Sequence, residues 1–159
     1  MTASVYVETS VISHLTSRPS RDLVAAAMQT ITQEWWLDAH NRYDLRVSVL
    51  VLEEASRGDL GAARLRLDAI SNLPVLALNE KAEELSRLLL DKKLIPQHSI
   101  EDAFHISIAS AHGIDYLVTW NFRHINNAEM RWRIQMAIES AGCACPTICS
   151  PEELGGFTQ

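Results

Sequence analysis

Residues 5–10 read Val-Tyr-Val-Glu-Thr-Ser, and they contain a change from a strand pattern to a helix pattern that recurs along the chain. Val5 to Val7 is a short run of β-branched and aromatic residues, which is typical of a buried strand. Glu8 follows at once, and a helical pattern then runs from Thr9 to Leu15. A strand that passes directly into a helix predicts a βα unit at the start of the chain.

The same alternation continues to the end of the sequence. Further short strands are expected at residues 45–49, 75–78, 116–119 and 147–149. Helices are expected between them, at residues 21–40, 51–57, 61–71, 79–94, 99–113 and 128–141. Strands that alternate with helices predict parallel pairing through right-handed crossovers. The expected fold class is α/β: one three-layer α/β/α domain over residues 1–159, with a central, mainly parallel sheet of about five short strands.

Helix boundaries are predicted from local capping signals. Ser20, Asn79 and Ser99 each precede a helical pattern and are expected to be N-caps. Ser150-Pro151-Glu152-Glu153 combines an N-cap serine, a first-turn proline and a glutamate, and it is expected to begin a last helical turn.

Composition is that of a globular protein, with 47% hydrophobic and 21% charged residues. A membrane span needs about 20 consecutive apolar residues, and neither such a run nor a signal peptide is expected. The three cysteines, Cys143, Cys145 and Cys149, indicate a reduced, cytoplasmic chain. They lack a fourth zinc ligand unless His124 supplies it, so we interpret them as small apolar residues near the last strand.

The net charge of −6 is unusual for a protein that holds nucleic acid by bulk electrostatics. It does not exclude a nuclease, because bound cations offset a cluster of metal-binding acids. The dinucleotide fingerprint, the P-loop, the nucleophile elbow and the H-E-x-x-H motif are all absent from the sequence. His105 and His112 have no acidic partner at metal-ligand spacing, so we interpret them as structural or solvated.

Oxygen-bearing side chains stand where ligands bind in a parallel sheet, beyond the carboxyl ends of the strands. Glu8 follows the first strand and Asn121 follows the fourth. Glu53 and Glu54 lie in the helix after the second strand, and Asp102 begins the helix before the fourth. Hard divalent cations such as Mg²⁺ or Mn²⁺ take oxygen ligands, and two ions about 3.5–4 Å apart can hydrolyse a phosphodiester with an activated water.

Each of these residues also has a purely structural interpretation. Asp102 stands three residues after Ser99, the spacing of a capping box. Glu53 and Glu54 are compatible with a solvated helix face, and Asn121 with a turn. Glu8 is harder to explain in this way, because an acid directly after a buried strand implies a polar pocket.

Four stretches of the chain resemble the PIN domain, and within it the VapC-type toxin ribonucleases of VapBC toxin–antitoxin modules. They are Val5-Tyr6-Val7-Glu8-Thr9-Ser10-Val11; Val47-Ser48-x-x-Val51-x-x-Glu54; Glu101-Asp102-Ala103-x-His105-Ile106-x-Ile108-Ala109; and Asp115-Tyr116-Leu117-Val118-Thr119-Trp120-Asn121-Phe122-Arg123-His124-Ile125. The resemblance covers nearly the whole chain, and the last stretch is the most specific.

The resemblance implies a ribonuclease that depends on Mg²⁺ or Mn²⁺. The acidic metal-binding and catalytic positions of the family fall on Glu8, Glu54 and Asp102, and a fourth falls on Asn121. Supporting hydroxyls that orient the carboxylates fall on Thr9, Ser10 and Thr119. The resemblance also implies an RNA substrate, a homodimer and a cognate antitoxin protein.

Two positions depart from the common family pattern. Glu8 stands where aspartate is usual, so its carboxylate reaches one methylene further. Asn121 is uncharged, which leaves three carboxylates and weakens the expected binding of a second ion.

Substrate contacts are expected from cationic side chains that border the acidic edge. Arg123 and His124 stand two and three residues past Asn121, and we expect them to contact backbone phosphates, with Arg18, Arg21 and Arg57 as further candidates.

The leading hypothesis is a metal-dependent endoribonuclease, the toxin of a toxin–antitoxin pair. The alternative is a non-catalytic PIN-like module that binds nucleic acid or protein. A deoxyribonuclease with the same site is a third option, because acid–metal chemistry alone does not select the sugar.

Overall fold

A five-stranded parallel sheet organises the chain in the computed structural model, which describes residues 2–155. The strands are β1 (Ser4–Val7), β2 (Asp44–Ser48), β3 (Val75–Leu76), β4 (Tyr116–Val118) and β5 (Thr147–Cys149). Their order across the sheet is β3-β2-β1-β4-β5, and every neighbouring pair is parallel. The predicted α/β class and the number of strands are therefore confirmed.

Seven α-helices connect the strands within residues 2–155. They are α1 (Thr9–Thr16), α2 (Leu23–Arg42), α3 (Val49–Ala55), α4 (Leu60–Ala69), α5 (Glu80–Asp91), α6 (Ile100–Ala111) and α7 (Arg131–Ser140), and a short 3₁₀ helix spans Gln97–Ser99. The chain moves from β1 to β3 in one direction along the sheet and from β3 to β5 in the other. Right-handed crossovers in opposite directions place α1–α4 on one face and α5–α7 on the other, which gives three layers.

β1 lies at the centre of the sheet, and its residues from Val5 to Val7 are fully buried. The buried apolar side chains of all five strands and most helices form one connected cluster. Helices on both faces exclude water from the central strands, so these strands are apolar on both sides.

The prediction that Ser20 is an N-cap is wrong, and Ser99 lies at the N-cap position of α6 without a side-chain capping bond. The α2 helix begins after Asp22, whose carboxylate accepts a hydrogen bond from the backbone N–H of Ala25 at 2.9 Å. Ser20 instead lies in the preceding turn, where its backbone N–H donates to Gln29. The hydroxyl of Ser99 makes no capping hydrogen bond, because residues 97–99 form a 3₁₀ helix that runs directly into α6.

Other capping predictions are confirmed. Asn79 caps α5 by accepting a hydrogen bond from the N–H of Ala82 at 2.9 Å. Ser150 and Glu153 exchange the two reciprocal bonds of a capping box, at 2.9 and 3.3 Å. Ser48 is a cap that the sequence analysis did not predict, and it starts α3 two residues earlier than expected.

One buried hydrogen bond ties the long α2 helix to the segment that follows β4. The indole N–H of Trp120 donates to the hydroxyl of Thr32 at 2.7 Å, and both residues are buried. This bond holds the position of Trp120, the neighbour of Asn121. Among residues 2–155, no helix is long and apolar enough to cross a membrane.

Thr32→Val should lower the free energy of unfolding by about 1–3 kcal/mol, because it leaves the buried indole N–H of Trp120 without an acceptor while keeping the side-chain shape. Urea denaturation followed by circular dichroism measures the change. Thr30→Val is the matched control: Thr30 lies on the same helix, is exposed and bonds only to the carbonyl of Ala26. It should stay within about 0.5 kcal/mol of the wild type. Equal losses in the two variants would show that the indole bond contributes nothing measurable.

Candidate metal centre

The candidate site lies where the order of strands reverses direction. β1 and β4 are neighbours in the sheet, but the chain leaves their carboxyl ends toward opposite faces. Such a switch point opens a crevice, and ligands of open α/β sheets bind there. Glu8 follows β1 directly, and Asn121 lies three residues beyond the end of β4.

Glu8 is buried at the floor of this crevice, with only 6% of its surface exposed. Its Oε1 accepts hydrogen bonds from the hydroxyls of Ser10 at 2.5 Å and Thr119 at 2.6 Å. Its Oε2 accepts the backbone N–H of Ser10 at 3.0 Å, so the side chain also caps α1. These three donors hold the carboxylate in one orientation.

Glu54 reaches the same place from α3. Its Oε1 accepts the hydroxyl hydrogen of Thr9 at 2.5 Å and faces Nε2 of His105 at 2.6 Å. Its neighbour Glu53 points outward, where it pairs with Arg57 at 3.2 Å. The structure therefore brings Glu54 rather than Glu53 to the crevice.

His105 belongs to the site, and the interpretation that it has no acidic partner is wrong. It is completely buried on α6, with Nε2 lying 2.6 Å from Glu54 and 3.9 Å from Oε2 of Glu8. Ligand atoms of Glu8, Glu54 and His105 all lie within 4.8 Å of one another, and in the described part of the chain this is the group with the spacing of a metal site. The sequence contained one signal that could have placed His105 in the site, because His105 stands one helical turn after Asp102 and so shares its face of the helix.

Asp102 and Asn121 form the other wall of the crevice. The amide nitrogen of Asn121 donates to Oδ1 of Asp102 at 3.1 Å. The amide oxygen of Asn121 accepts the backbone N–H groups of Arg123 and His124, at 3.2 and 3.0 Å. In this arrangement Asn121 presents hydrogens, not oxygen, to Asp102, and its oxygen stabilises a turn. Ser99 makes no capping hydrogen bond with its side chain, and the bond from Asn121 holds the Asp102 carboxylate at this wall.

Arg123 and His124 lie in the turn that Asn121 begins, and the charge of His124 acts on the carboxyl group of Asp102. Arg123 is exposed and His124 is half-buried. The ring of His124 lies 6.1 Å from the ring of His98, edge to face. Arg57, another candidate for phosphate contact, instead pairs with Glu101 at 3.1 Å and with Glu53.

Glu101 is a further acid that the sequence analysis did not assign to the site. The Glu54 carboxylate beside it, together with partial burial, raises the pKa of Glu101, and Arg57 partly offsets this rise. The rim of the site therefore carries one more carboxyl group than the sequence suggested.

Burial and nearby charges together shift the pKa values of the titratable groups in this cluster. Burial raises the pKa of Glu54, but the hydrogen bond and charge of His105 outweigh it and bring the pKa to about 2. Burial lowers the pKa of His105, but Glu54 and Glu8 outweigh it and leave the pKa raised. Burial raises the pKa of Asp102, and the charge of Glu8 adds to the rise. Glu54 is thus held ionised, whereas Asp102 is ionised at a cost.

The cysteines are remote from this chemistry. All three are free, and burial raises the pKa of Cys145 and of Cys149 to about 12. The thiols of Cys145 and Cys149 are therefore protonated at neutral pH, which is consistent with small apolar residues around β5.

A solved structure shares this fold. A chain in the crystal structure of VapBC2 from Rickettsia felis, bound to a DNA fragment from their promoter, superposes with a TM-score of 0.55 at 18% sequence identity. The match covers 92% of this chain and 98% of that one. The fold is PIN-like. The fold that the sequence resemblance implied is therefore confirmed.

A second solved structure is less similar. A chain of VapBC-5 from Mycobacterium tuberculosis, a member of the VapBC family of toxin–antitoxin systems, gives a TM-score of 0.47 at 16% identity, over 79% of this chain and 93% of that one. No protein-family model and no curated protein sequence matches the chain.

Asp102→Asn should raise the melting temperature of the metal-free protein by a few degrees at pH 7. The raised pKa of Asp102 means that stability falls as the pH rises from the ordinary aspartate value of 3.8 through the folded-state pKa, and the loss is complete at neutral pH. Solvent screening keeps the effect modest, because the carboxylate is only half-buried. Differential scanning calorimetry with EDTA measures it.

The difference between Asp102→Asn and wild type should disappear below about pH 3.8, where aspartate is protonated in both the folded and the unfolded protein. Asp68→Asn, at an exposed position on α4, is the control and should leave the melting temperature unchanged. A melting temperature that falls in Asp102→Asn at pH 7 would contradict the idea that this charge opposes folding.

Proposed function

We propose that this protein is a divalent-metal-dependent endoribonuclease that hydrolyses RNA phosphodiester bonds, and that it is the toxin of a type II toxin–antitoxin pair. The observation that supports this most is the convergence of Glu8, Glu54 and His105 within 4.8 Å, with Asp102 beside them, at the switch point of a PIN-like sheet. Neither a single cap nor a solvated helix face accounts for carboxylates brought together from three separate elements.

The donor set fits a hard divalent cation. Glu8, Glu54 and Asp102 supply carboxylate oxygens, the ligands that Mg²⁺ and Mn²⁺ prefer in proteins. The orientation of Glu8 is held by Ser10 and Thr119, which is the support that metal ligands need from their neighbours. When bound, Mg²⁺ or Mn²⁺ supplies Lewis-acid chemistry, which lowers the pKa of a water and stabilises a leaving oxygen.

The residues of the chain divide this work among them. Glu8, Glu54 and Asp102 hold the cation, while the hydroxyls of Thr9, Ser10 and Thr119 orient the glutamates. Asn121 holds Asp102 through its amide nitrogen, and we propose that it acts in this way in catalysis. The carboxylates need no covalent nucleophile beside them, because a bound cation would supply an activated water as the nucleophile.

Substrate and partner follow from position and from the shared fold. Arg123 and His124 lie in the turn that Asn121 begins, where we propose that they contact backbone phosphates of RNA. The solved chain with the same fold belongs to a VapBC2 complex. On that basis we propose an antitoxin partner, a homodimer and a cytoplasmic location.

Cleavage of a mixed RNA pool should require Mg²⁺ or Mn²⁺ and should stop in EDTA. Asp102→Asn and Glu8→Gln should each lower the rate by more than about 100-fold, because each removes a carboxylate that would hold the cation. Gel analysis of end-labelled RNA measures the rates, and single-stranded DNA in a parallel reaction separates ribonuclease from deoxyribonuclease activity.

Asp115→Asn is the matched control for the cleavage assay. Asp115 bonds to Ser4 at the opposite edge of the sheet, so its variant should cleave RNA at the wild-type rate. Absence of cleavage with either metal, together with no rise in melting temperature on adding Mn²⁺, would reject the enzyme and favour a non-catalytic binding module.

Arg123→Ala should weaken RNA binding and make the slope of log affinity against log salt concentration shallower by about one unit, because one phosphate contact is lost. Fluorescence anisotropy of labelled RNA, with Asp102→Asn as the parent to prevent turnover, measures both quantities. Arg87→Ala, at an exposed position on α5, should leave the slope unchanged. An unchanged slope in Arg123→Ala would remove Arg123 from the substrate contacts.

A further inference from the structure

A chain of buried hydrogen bonds runs from the centre of the sheet to the candidate site. The hydroxyl oxygens of Ser48 and Tyr6 lie 2.7 Å apart, and the Tyr6 oxygen lies 2.6 Å from Nδ1 of His105. On the other side of the imidazole, Nε2 lies 2.6 Å from Oε1 of Glu54. Ser48, Tyr6 and His105 are each completely buried, so this chain is shielded from solvent.

The direction of each hydrogen bond follows from the role of Glu54 as a metal ligand, because a carboxyl group must be deprotonated to bind a cation. A carboxylate only accepts hydrogen bonds, so Nε2 of His105 must carry the hydrogen that lies between the two atoms. With a neutral imidazole, Nδ1 is then an acceptor, Tyr6 donates to it, and Ser48 donates to Tyr6. The Ser48 oxygen in turn accepts the backbone N–H of Val51 at 3.2 Å. Every hydrogen along the chain has one acceptor.

A protonated imidazole leads to the same result at the Glu54 end. Nδ1 then donates to Tyr6, and Tyr6 donates to Ser48, but Nε2 still carries its hydrogen. In both charge states Nε2 has no free lone pair for a metal ion. Nε2 nevertheless lies close enough to the carboxylates of Glu8 and Glu54 to be a potential metal ligand by distance alone.

We propose that His105 is a positioning residue, which with Tyr6 and Ser48 behind it directs an N–H group at Oε1 of Glu54 and does not itself bind the metal. This inference rests on the proposed metal-dependent function. Thr9 directs a second hydrogen at the same oxygen, so Oε1 is satisfied and Oε2 is left to bind the cation.

The assignment affects which metal the site selects. An imidazole ligand favours zinc and other transition metals, whereas an all-oxygen set suits Mg²⁺ and Mn²⁺. Three potential ligand atoms lie together here, and one of them is the Nε2 nitrogen of His105. Because Tyr6 and His105 keep this nitrogen as a hydrogen donor, only oxygen atoms are left to bind the metal.

Nuclear magnetic resonance of protein labelled with ¹⁵N-histidine tests the position of the hydrogen directly. Long-range ¹H–¹⁵N spectra show which imidazole nitrogens are protonated, and the His105→Gln spectrum identifies the His105 signals. We expect Nε2 to carry a hydrogen both without metal and with saturating Mg²⁺. A bare Nε2 in the presence of Mg²⁺ would overturn the proposal in favour of direct ligation.

Titration with Mn²⁺, followed by electron paramagnetic resonance of the free ion, tests the positioning role. His105→Leu should raise the Kd for Mn²⁺ by about 10–100-fold, the range for loss of a group that orients a ligand. His105→Gln should recover much of this loss, because its amide N–H reaches the position of Nε2. Tyr6→Phe should raise the Kd by a smaller factor, since the imidazole keeps its donor but loses its anchor.

Two matched controls separate this role from general effects on the fold. His112→Gln removes the other histidine of the same helical segment, which bonds to the carbonyl of Ala77. Tyr116→Phe removes a tyrosine hydroxyl from β4, the neighbouring strand. Both should leave the Kd within about twofold of wild type, a change smaller than any expected from loss of an orienting group.

The outcomes distinguish the inference from the function on which it rests. If the wild type binds Mn²⁺ and the folded His105 variants bind it equally well, the residue is structural and the proposal is overturned. If His105→Gln loses affinity as completely as His105→Leu, direct ligation replaces positioning. A wild-type protein that binds neither Mn²⁺ nor Mg²⁺ overturns the proposed function itself.

Discussion

The burial of a carboxyl group at the end of the central strand is the constraint on which the site depends. Glu8 has almost no contact with solvent, and a buried polar group is unfavourable unless hydrogen bonds replace its water. Ser10 in the first turn of α1 and Thr119 beyond β4 provide these bonds. Glu8 is therefore accommodated only when β1 and β4 pair in register and α1 starts at the correct residue. The local polar bonds and the global topology stabilise the same arrangement.

Glu54 is the second carboxylate of the site, and its contacts make the site depend on the positions of two more helices. Glu54 from α3 and His105 from α6 meet beside Thr9, and Tyr6 connects the imidazole back to β1. The remaining acids weaken the fold, because burial and neighbouring charge raise the pKa of Asp102 and the adjacent Glu54 carboxylate raises that of its rim neighbour Glu101. Groups that destabilise the metal-free protein are common at functional sites, and a cation that binds only the folded state restores the stability by linkage.

Most of the architecture was predictable because its signals are local. Short apolar runs separated by helical patterns predict alternating strands and helices, and right-handed connection predicts parallel pairing. Asn79 was predicted correctly as a cap because its hydrogen bond involves only its own helix. Ser20 has the same local signal, but its backbone N–H donates to Gln29 and Asp22 caps the helix instead. Ser99 does take the N-cap position of its helix, but the 3₁₀ helix before it leaves its hydroxyl without a capping bond. Sequence patterns alone do not register such competition from other contacts.

The residues of the site also divide into those that the sequence predicted and those that only the structure identified. The sequence by itself determined that Glu8 directly follows a strand and that Glu54 and Asp102 lie on helices next to strands, and the family resemblance singled out these three acids as candidates. Only the tertiary structure decided that His105 joins them, since its partner lies 51 residues away on another helix. Only the tertiary structure decided which atoms of Asn121 face Asp102. The physical reason is that a pattern along the chain reports which side chains an element carries, whereas hydrogen-bond partners depend on how separate elements pack together.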